Sequence, residues 1–336
     1  MMNAVVCVAP GELVIERRPR PQPAPDEVLI RVRRVGVCGT DMHIFRGTQP
    51  YLAYPRVMGH ELAGEVVETQ LAGFAPGDPV YVMPYMSCGD CAACRKEKPN
   101  CCMNIQVLGV HRDGGMAEYL TVPGGFVRRA DGISMDQAAM IEFLAIGAHA
   151  VRRADVRLGQ QVLVVGAGPI GIAAALFAKL RGAQVTALDG RQDRLDFCKA
   201  HIGADHIVAL GEATPQTLSA LTDGDFYDVV FDATGAAKAM EAGFAYVAHG
   251  GSYVLISVVS AEITFSDPEF HKRETTLLAS RNATPEDFET VVAAMRQGLV
   301  PTDALNTHQA PLAELAAALP LWMEPDAGVI KAIVTC

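Results

Sequence analysis

Apolar and polar residues alternate along the first 150 residues with the period of two that marks half-buried strands. Glu27-Val28-Leu29-Ile30-Arg31-Val32-Arg33 carries the pattern, and Leu62–Val67 and Pro79–Val82 repeat it in shorter form. Arg18–Pro25 places Pro at every second position, which predicts an extended surface connector in preference to a docking site for a proline-binding partner. From about residue 151 the texture changes, and short apolar runs alternate with helical stretches. Strands are predicted at Val162–Val165, Val185–Leu188, His206–Val208, Asp228–Phe231, Tyr253–Ser257 and Thr276–Ala279, with helices at Gly171–Leu180 and Arg191–His201 between the earlier ones. Six strands joined by crossovers imply a parallel, doubly wound sheet, so the chain is α/β. After Arg281 the pattern turns helical over Pro285–Gln297 and closes on a strand at Val329–Val334.

The longest apolar run, Val162–Ala178, holds three Gly and a Pro. It is short for a membrane span and reads better as strand, tight turn and helix. The first residues, MMNAVVCVAPGELVIE, lack the basic start of a signal peptide, so a cytoplasmic protein is expected. A length of 336 residues, at about 150 per domain, suggests two domains. Lys plus Arg total 28 against 38 for Asp plus Glu, a formal charge of −10. That balance argues against nucleic acid or an anionic membrane as partner, since counterion release needs a basic face. Nine cysteines, an odd number, argue against a secreted disulfide framework and direct attention to metal or redox chemistry.

Val162–Val165 runs into Gly166-Ala167-Gly168-Pro169-Ile170-Gly171 and then an Ala-rich helix. This is G-x-G-x-x-G at a strand-to-helix turn, the setting that gives the motif its meaning. Gly166 permits the turn, Gly168 lets backbone approach a pyrophosphate, and Gly171 lets helix pack on strand. The helix N-terminus offers free N–H groups to the phosphates. Asp189 ends the second strand, where a carboxylate binds ribose hydroxyls and repels a 2′-phosphate, so NAD is favoured over NADP. Arg191 and Arg194 stand close by and could soften that preference. A Rossmann-like fold without nucleotide, or a methyltransferase, remains an alternative on this motif alone.

Five cysteines cluster as Cys88-Gly-Asp-Cys91-Ala-Ala-Cys94, then Cys101 and Cys102. Four thiolates close a tetrahedral shell around zinc, and the spacing after Cys94 does not suit a ferredoxin-type cluster. Structural zinc on Cys88, Cys91, Cys94 and Cys102 is the reading, with Cys101 as substitute fourth ligand and a redox pair as the plainer alternative. A second constellation is dispersed: Cys38-Gly39-Thr40-Asp41-Met42-His43, Gly59-His60-Glu61, and Glu142. Cys, His and carboxylate are zinc ligands, and a catalytic zinc keeps one position exchangeable.

Cys38-Gly-Thr-Asp, Gly59-His60-Glu61-x-x-Gly64, the four-cysteine lobe and the Gly166–Gly171 turn, in that order, resemble the zinc-dependent medium-chain dehydrogenase/reductase family of alcohol, sorbitol and threonine dehydrogenases. The resemblance spans essentially the whole chain. It implies a GroES-like β-rich catalytic domain over residues 1–150, with the zinc lobe at 86–103, completed by 286–336. A Rossmann NAD-binding domain at 151–285 is inserted between, with the active site in the cleft. It further implies two zinc ions per chain and a homodimer or homotetramer. On this likeness Cys38, His60 and Glu142 hold the catalytic zinc, and Glu61 is the carboxylate that moves in and out of coordination. Thr40 and His43 form the proton relay, Asp41 orients His60, and Arg281 and Asn282 support the nicotinamide end of the cofactor. Glu142 in place of a second Cys groups the chain with the polyol, sugar and threonine enzymes. Two positions depart from the family pattern: Gln70 replaces a Gly, and Phe143 replaces the Pro that follows the Glu ligand. A sheet-edge oligomer contact along the strand Tyr253–Ser257, followed by Val258-Val259, is a further implication.

Gly109–Gly115, Phe265–Lys272 and Ser280–Phe288 resemble bacterial L-galactonate and L-gulonate 5-dehydrogenases, which oxidise a secondary hydroxyl of a hexonate. Such a substrate needs a cation for its carboxylate, and Arg112 is the candidate. A neutral polyol or L-threonine is the alternative substrate. Outside enzymes, the alternative is a zinc module that binds protein or nucleic acid, and a zinc-free quinone reductase relative is a third reading.

Overall fold

The computed structural model describes residues 1–336 and divides into two compact units. One comprises Met1–Glu142 with Thr284–Cys336, the other Phe143–Ala283. In the first unit, Glu27–Val37 is the central strand. It pairs antiparallel with Glu61–Thr69, Tyr119–Pro123 and Lys331–Thr335. Because it is flanked along its whole length, Val28, Leu29, Ile30, Val32, Val35 and Val37 are all buried, and the alternation expected from its sequence is only partly kept. The outer strands of this sheet are Val127–Arg129 and Asn306–Pro311. Pro19 to Ala24 runs without regular structure, and the Arg20 guanidinium lies over the Tyr119 ring at 4.5 Å.

The second unit is a six-stranded parallel sheet in the order His206–Ala209, Gln184–Asp189, Gln161–Val165, Tyr227–Asp232, Val247–Leu255, Thr276–Ala279. Strand order reverses beside Gln161–Val165, the position where doubly wound sheets open a crevice for a ligand. The apolar run that follows resolves into that strand and the helix Pro169–Leu180, and no helix of the chain is long and apolar enough to cross a membrane. Val247–Leu255 begins six residues before the expected Tyr253. The exposed His249-Gly250 pair interrupts the apolar signal while the backbone stays in register on one side of an irregularity. The same strand is interior, paired with Tyr227–Asp232 and with Thr276–Ala279, so the sheet edge expected at Tyr253–Ser257 lies at Thr276–Ala279 instead. The expected helix Arg191–His201 is an α-helix over Gln192–Phe197 followed by a π-helical turn to Ile202. Pro285–Arg296 is capped by Thr284, whose N–H and hydroxyl both donate to Asp287 Oδ2.

Candidate active site and its metal centres

Strand pairing assembles the first cluster. Gly36 stands opposite Glu61 in the antiparallel ladder, so Cys38 emerges from one strand just where His60 enters the other. Cys38 then caps the helix Gly39–Arg46. Asp41 ties the two segments, accepting from the Cys38 N–H through Oδ2 at 2.9 Å and from the Gly59 N–H through Oδ1 at 3.1 Å. It thereby fixes the backbone on both sides of the cluster, rather than bonding to the His60 ring as expected. The result is that Cys38, His60 and Glu61 bring ligand atoms within 4.8 Å of one another. Gly36 makes room for them: a Cβ there would lie 1.9 Å from Glu61 Oε2.

Glu142, at the second position of the helix Ile141–Arg153, is outside that 4.8 Å group but close in electrostatic terms. Burial pushes its carboxyl up to about 7, with the Glu61 charge adding to the effect and His60 opposing it. For His60, burial acts to lower the imidazole, and the Cys38 sulfur with the Glu142 and Asp41 carboxylates outweigh it, leaving the ring well above its ordinary value. His60 Nδ1 and Glu142 Oε2 are buried without a hydrogen-bond partner. A largely buried cluster that concentrates negative charge and leaves such atoms unsatisfied is one that a divalent cation completes. Sulfur, imidazole and carboxylate together form a donor set suited to zinc.

Two side chains in this cluster carried no sequence signal. Lys331 is 1 % exposed, sits 2.6 Å from Glu61 and donates to the Val37 carbonyl at 3.1 Å. Tyr85 is buried and donates its hydroxyl to Glu142 Oε1. Both lie far from their partners along the chain, and a buried Lys or Tyr has no spacing rule that flags it. Thr40 and His43 are three residues apart on the helix Gly39–Arg46 and so share a face. They are not bonded to one another: exposed His43 pairs through Nδ1 with Thr48 Oγ1 at 2.9 Å. Arg112 is exposed with Nη1 3.2 Å from Met86 Sδ and has no acidic partner. Its neighbour Asp113 is the brace, bonded to Arg18, Arg56 and the Val57 N–H.

The second cluster is Cys88, Cys91, Cys94 and Cys102, whose sulfurs also lie within 4.8 Å of one another. Separations of 3.5 Å for Cys91–Cys94 and for Cys88–Cys102 are far too long for disulfides, and all nine cysteines are free. Backbone N–H groups of Cys88 and Asn104 point at the Cys102 sulfur. That of Met103 points at Cys91 and helps draw its thiol down to about 6. Donors aimed at sulfur favour thiolate, the form that binds zinc. Cys102 is buried within the group, whereas Cys101 is exposed and outside it.

In the second unit, Gly166 takes φ +94° and Gly168 caps the helix that Pro169 and Ile170 begin. A Cβ on Gly171 would lie 1.7 Å from the Gly166 carbonyl oxygen, so only glycine allows the turn to close. Gly171→Ala is therefore expected to cost about 1–3 kcal/mol or more through forced overpacking. It should also weaken dinucleotide binding by about tenfold or more, read by thermal unfolding and by a fluorescence titration. Asp189 braces the same turn, accepting from the Ala167 N–H at 2.6 Å and the Arg191 N–H at 2.8 Å. Arg191 is paired with Asp193, and Arg194 is half-buried, with burial lowering its guanidinium. At the adjoining strand ends, buried Asp232 collects the Thr234 N–H, the Thr234 hydroxyl and the Ser257 hydroxyl, a network not anticipated from the sequence. Arg281 is exposed, and Asn282 takes the left-handed conformation at φ +53°.

Residues 24–131 match the family model of the alcohol dehydrogenase GroES-like domain, and residues 169–297 that of the zinc-binding dehydrogenases. The chain is similar to the L-galactonate-5-dehydrogenase of Escherichia coli K12, at 44% identity over 336 residues and 99% of each chain. It is similar to the sorbitol dehydrogenase of Halalkalibacterium halodurans at 33% identity over 312 residues, 90% of each. Among solved structures, a short chain alcohol dehydrogenase of Escherichia coli CFT073, complexed with cofactor NADH, matches with a TM-score of 0.93 and 29% identity, covering 100% of this chain and 99% of that one.

Proposed function

Because the chain belongs to the zinc-dependent alcohol dehydrogenase family, we propose that it oxidises the C5 hydroxyl of a hexonate of the L-galactonate or L-gulonate type, with NAD as hydride acceptor. The observation that carries the substrate is the likeness to L-galactonate-5-dehydrogenase over the full length. Arg112 adds to it. Its exposed guanidinium meets only Met86 Sδ, at 3.2 Å, and has no acidic partner. An unmatched guanidinium suits a substrate carboxylate, which it can grip with two parallel hydrogen bonds.

Bound to this site, zinc supplies Lewis acidity toward the substrate hydroxyl, and the nicotinamide supplies the hydride acceptor. Cys38, His60 and Glu142 would hold the metal, and Glu61, paired with Lys331, would be the carboxylate that moves in and out of coordination. Thr40 accepts the hydroxyl proton as it releases its own, and by way of the cofactor's ribose hydroxyls the proton passes to His43 and solvent, a general-base relay. Cys88, Cys91, Cys94 and Cys102 hold a second zinc that fixes the lobe and has no part in the chemistry. Gly166, Gly168, Pro169, Ile170 and Gly171 cradle the pyrophosphate, and Asp189 holds the adenosine ribose. Arg194 backs that ribose, while Arg281 and Asn282 support the nicotinamide end.

The testing experiment is NADH production across a panel of hexonates, pentitols and L-threonine. Turnover with a hexonate is expected, and silence there with response to a neutral polyol refutes the sugar-acid reading. Asp189→Ala is expected to weaken NAD by about 10–100-fold, the worth of one or two charge-assisted hydrogen bonds. Since the repelling carboxylate is gone, the same change should raise kcat/KM with NADP relative to NAD. Initial rates with both cofactors check it.

A further inference from the structure

The proposed ligand Glu142 has two oxygens in different situations. Oε1 receives the Tyr85 hydroxyl, and Oε2 is buried without a partner. Tyr85 is held there by its own packing. It lies on the short strand Tyr85–Met86, paired with Gln106–Val107, and its ring meets Phe288 edge-on at 6.2 Å between centroids. A buried phenol must donate to something. Tyr85 thus occupies one oxygen and limits rotation of the carboxyl group, so a single oxygen stays available. Glu61 is treated differently, with its carboxylate against the Lys331 ammonium.

We propose that Tyr85 is a positioning residue of the catalytic metal centre: by holding Glu142 Oε1 it presents Oε2 as the one oxygen of that side chain available to the metal. The inference rests on the reading of Glu142 as a ligand. Partners that orient ligands in this way are worth about 10–100-fold in metal affinity.

The test is zinc release from the purified holoprotein into excess chelator, followed with a metallochromic indicator. The phase absent from Cys38→Ser reports the catalytic site rather than the four-cysteine lobe. Tyr85→Phe keeps the ring against Phe288 and removes only the hydroxyl, and it is expected to weaken zinc in that phase by about 10–100-fold. Glu142→Ala should weaken it as well, and Tyr85→Phe in the Glu142→Ala background should add nothing, since Tyr85 acts through the carboxylate. With cobalt in the site, Tyr85→Phe should shift the visible absorption bands. Wild-type affinity and an unchanged cobalt spectrum in Tyr85→Phe, alongside weakened zinc in Glu142→Ala, overturn the inference and leave the ligand standing. Equal losses from Tyr85→Phe with and without Glu142 also overturn it. Wild-type zinc affinity in Glu142→Ala removes the ligand reading and the inference together.

Discussion

Cys38→Ala is expected to lower kcat/KM by at least about 1,000-fold while leaving the fold in place. A Lewis-acid metal at a developing oxyanion is worth several kcal/mol, and each 1.36 kcal/mol is about tenfold in rate. Cys38 supplies the single sulfur of the site and caps the helix Gly39–Arg46. The Asp41 bond to its backbone N–H does not involve the side chain, so the helix start survives the change. Steady-state kinetics and zinc analysis together check this result. Zinc content should fall from two per chain to one, the four-cysteine lobe keeping its ion. A variant that retained both zinc ions, or stayed within tenfold of wild-type kcat/KM, would contradict the assignment of Cys38.

The second large effect is on stability. Lys331 and Glu61 form an ion pair at 2.6 Å with side-chain exposures of 1 % and 0 %. Removing one partner of such a pair leaves a charge that water cannot reach, a loss of about 3–5 kcal/mol. Lys331→Met in metal-free protein should therefore lower the melting temperature by roughly 6–20 °C, at about 2–4 °C per kcal/mol for a unit of this size. The sign of a second substitution is diagnostic. Glu61→Gln added to Lys331→Met removes the stranded charge and should recover much of the loss, although each change alone destabilises. Circular-dichroism melts of the four proteins decide it. Equal or additive losses would mean that Lys331 acts through packing alone.

The parts of this protein that were legible in its sequence are those written locally. The four lobe cysteines fall within fifteen residues, and their turns bring the sulfurs together with little help from the rest of the fold. The glycine turn is likewise one strand, one turn and one helix, each with its own pattern. The parallel sheet was visible because its inner strands Gln161–Val165, Gln184–Asp189 and Tyr227–Asp232 are buried on both faces and appear as short apolar runs. What was not legible depends on tertiary register. Lys331 reaches Glu61 only because the last strand pairs with Glu27–Val37. Tyr85 reaches Glu142 across 57 residues. Asp41 resembles an acid placed for His60, yet both oxygens are taken by backbone N–H groups. The early part of Val247–Leu255 was hidden by a His-Gly-Gly stretch that backbone pairing carries through.

The place of Lys331–Thr335 in the sheet has a consequence for how the molecule is made. That strand lies between Glu27–Val37 and Asn306–Pro311 and carries the counter-charge of the metal site. The second unit is continuous from Phe143 to Ala283, so a growing chain can complete it while still on the ribosome. The first unit must wait, its central strand open on one side and Glu61 without its lysine, until Lys331–Thr335 has emerged. A nascent chain arrested near residue 325 should show a protease-resistant core at 143–283 and cleavage within 1–142, and zinc should enter the catalytic site only once Lys331–Thr335 has emerged.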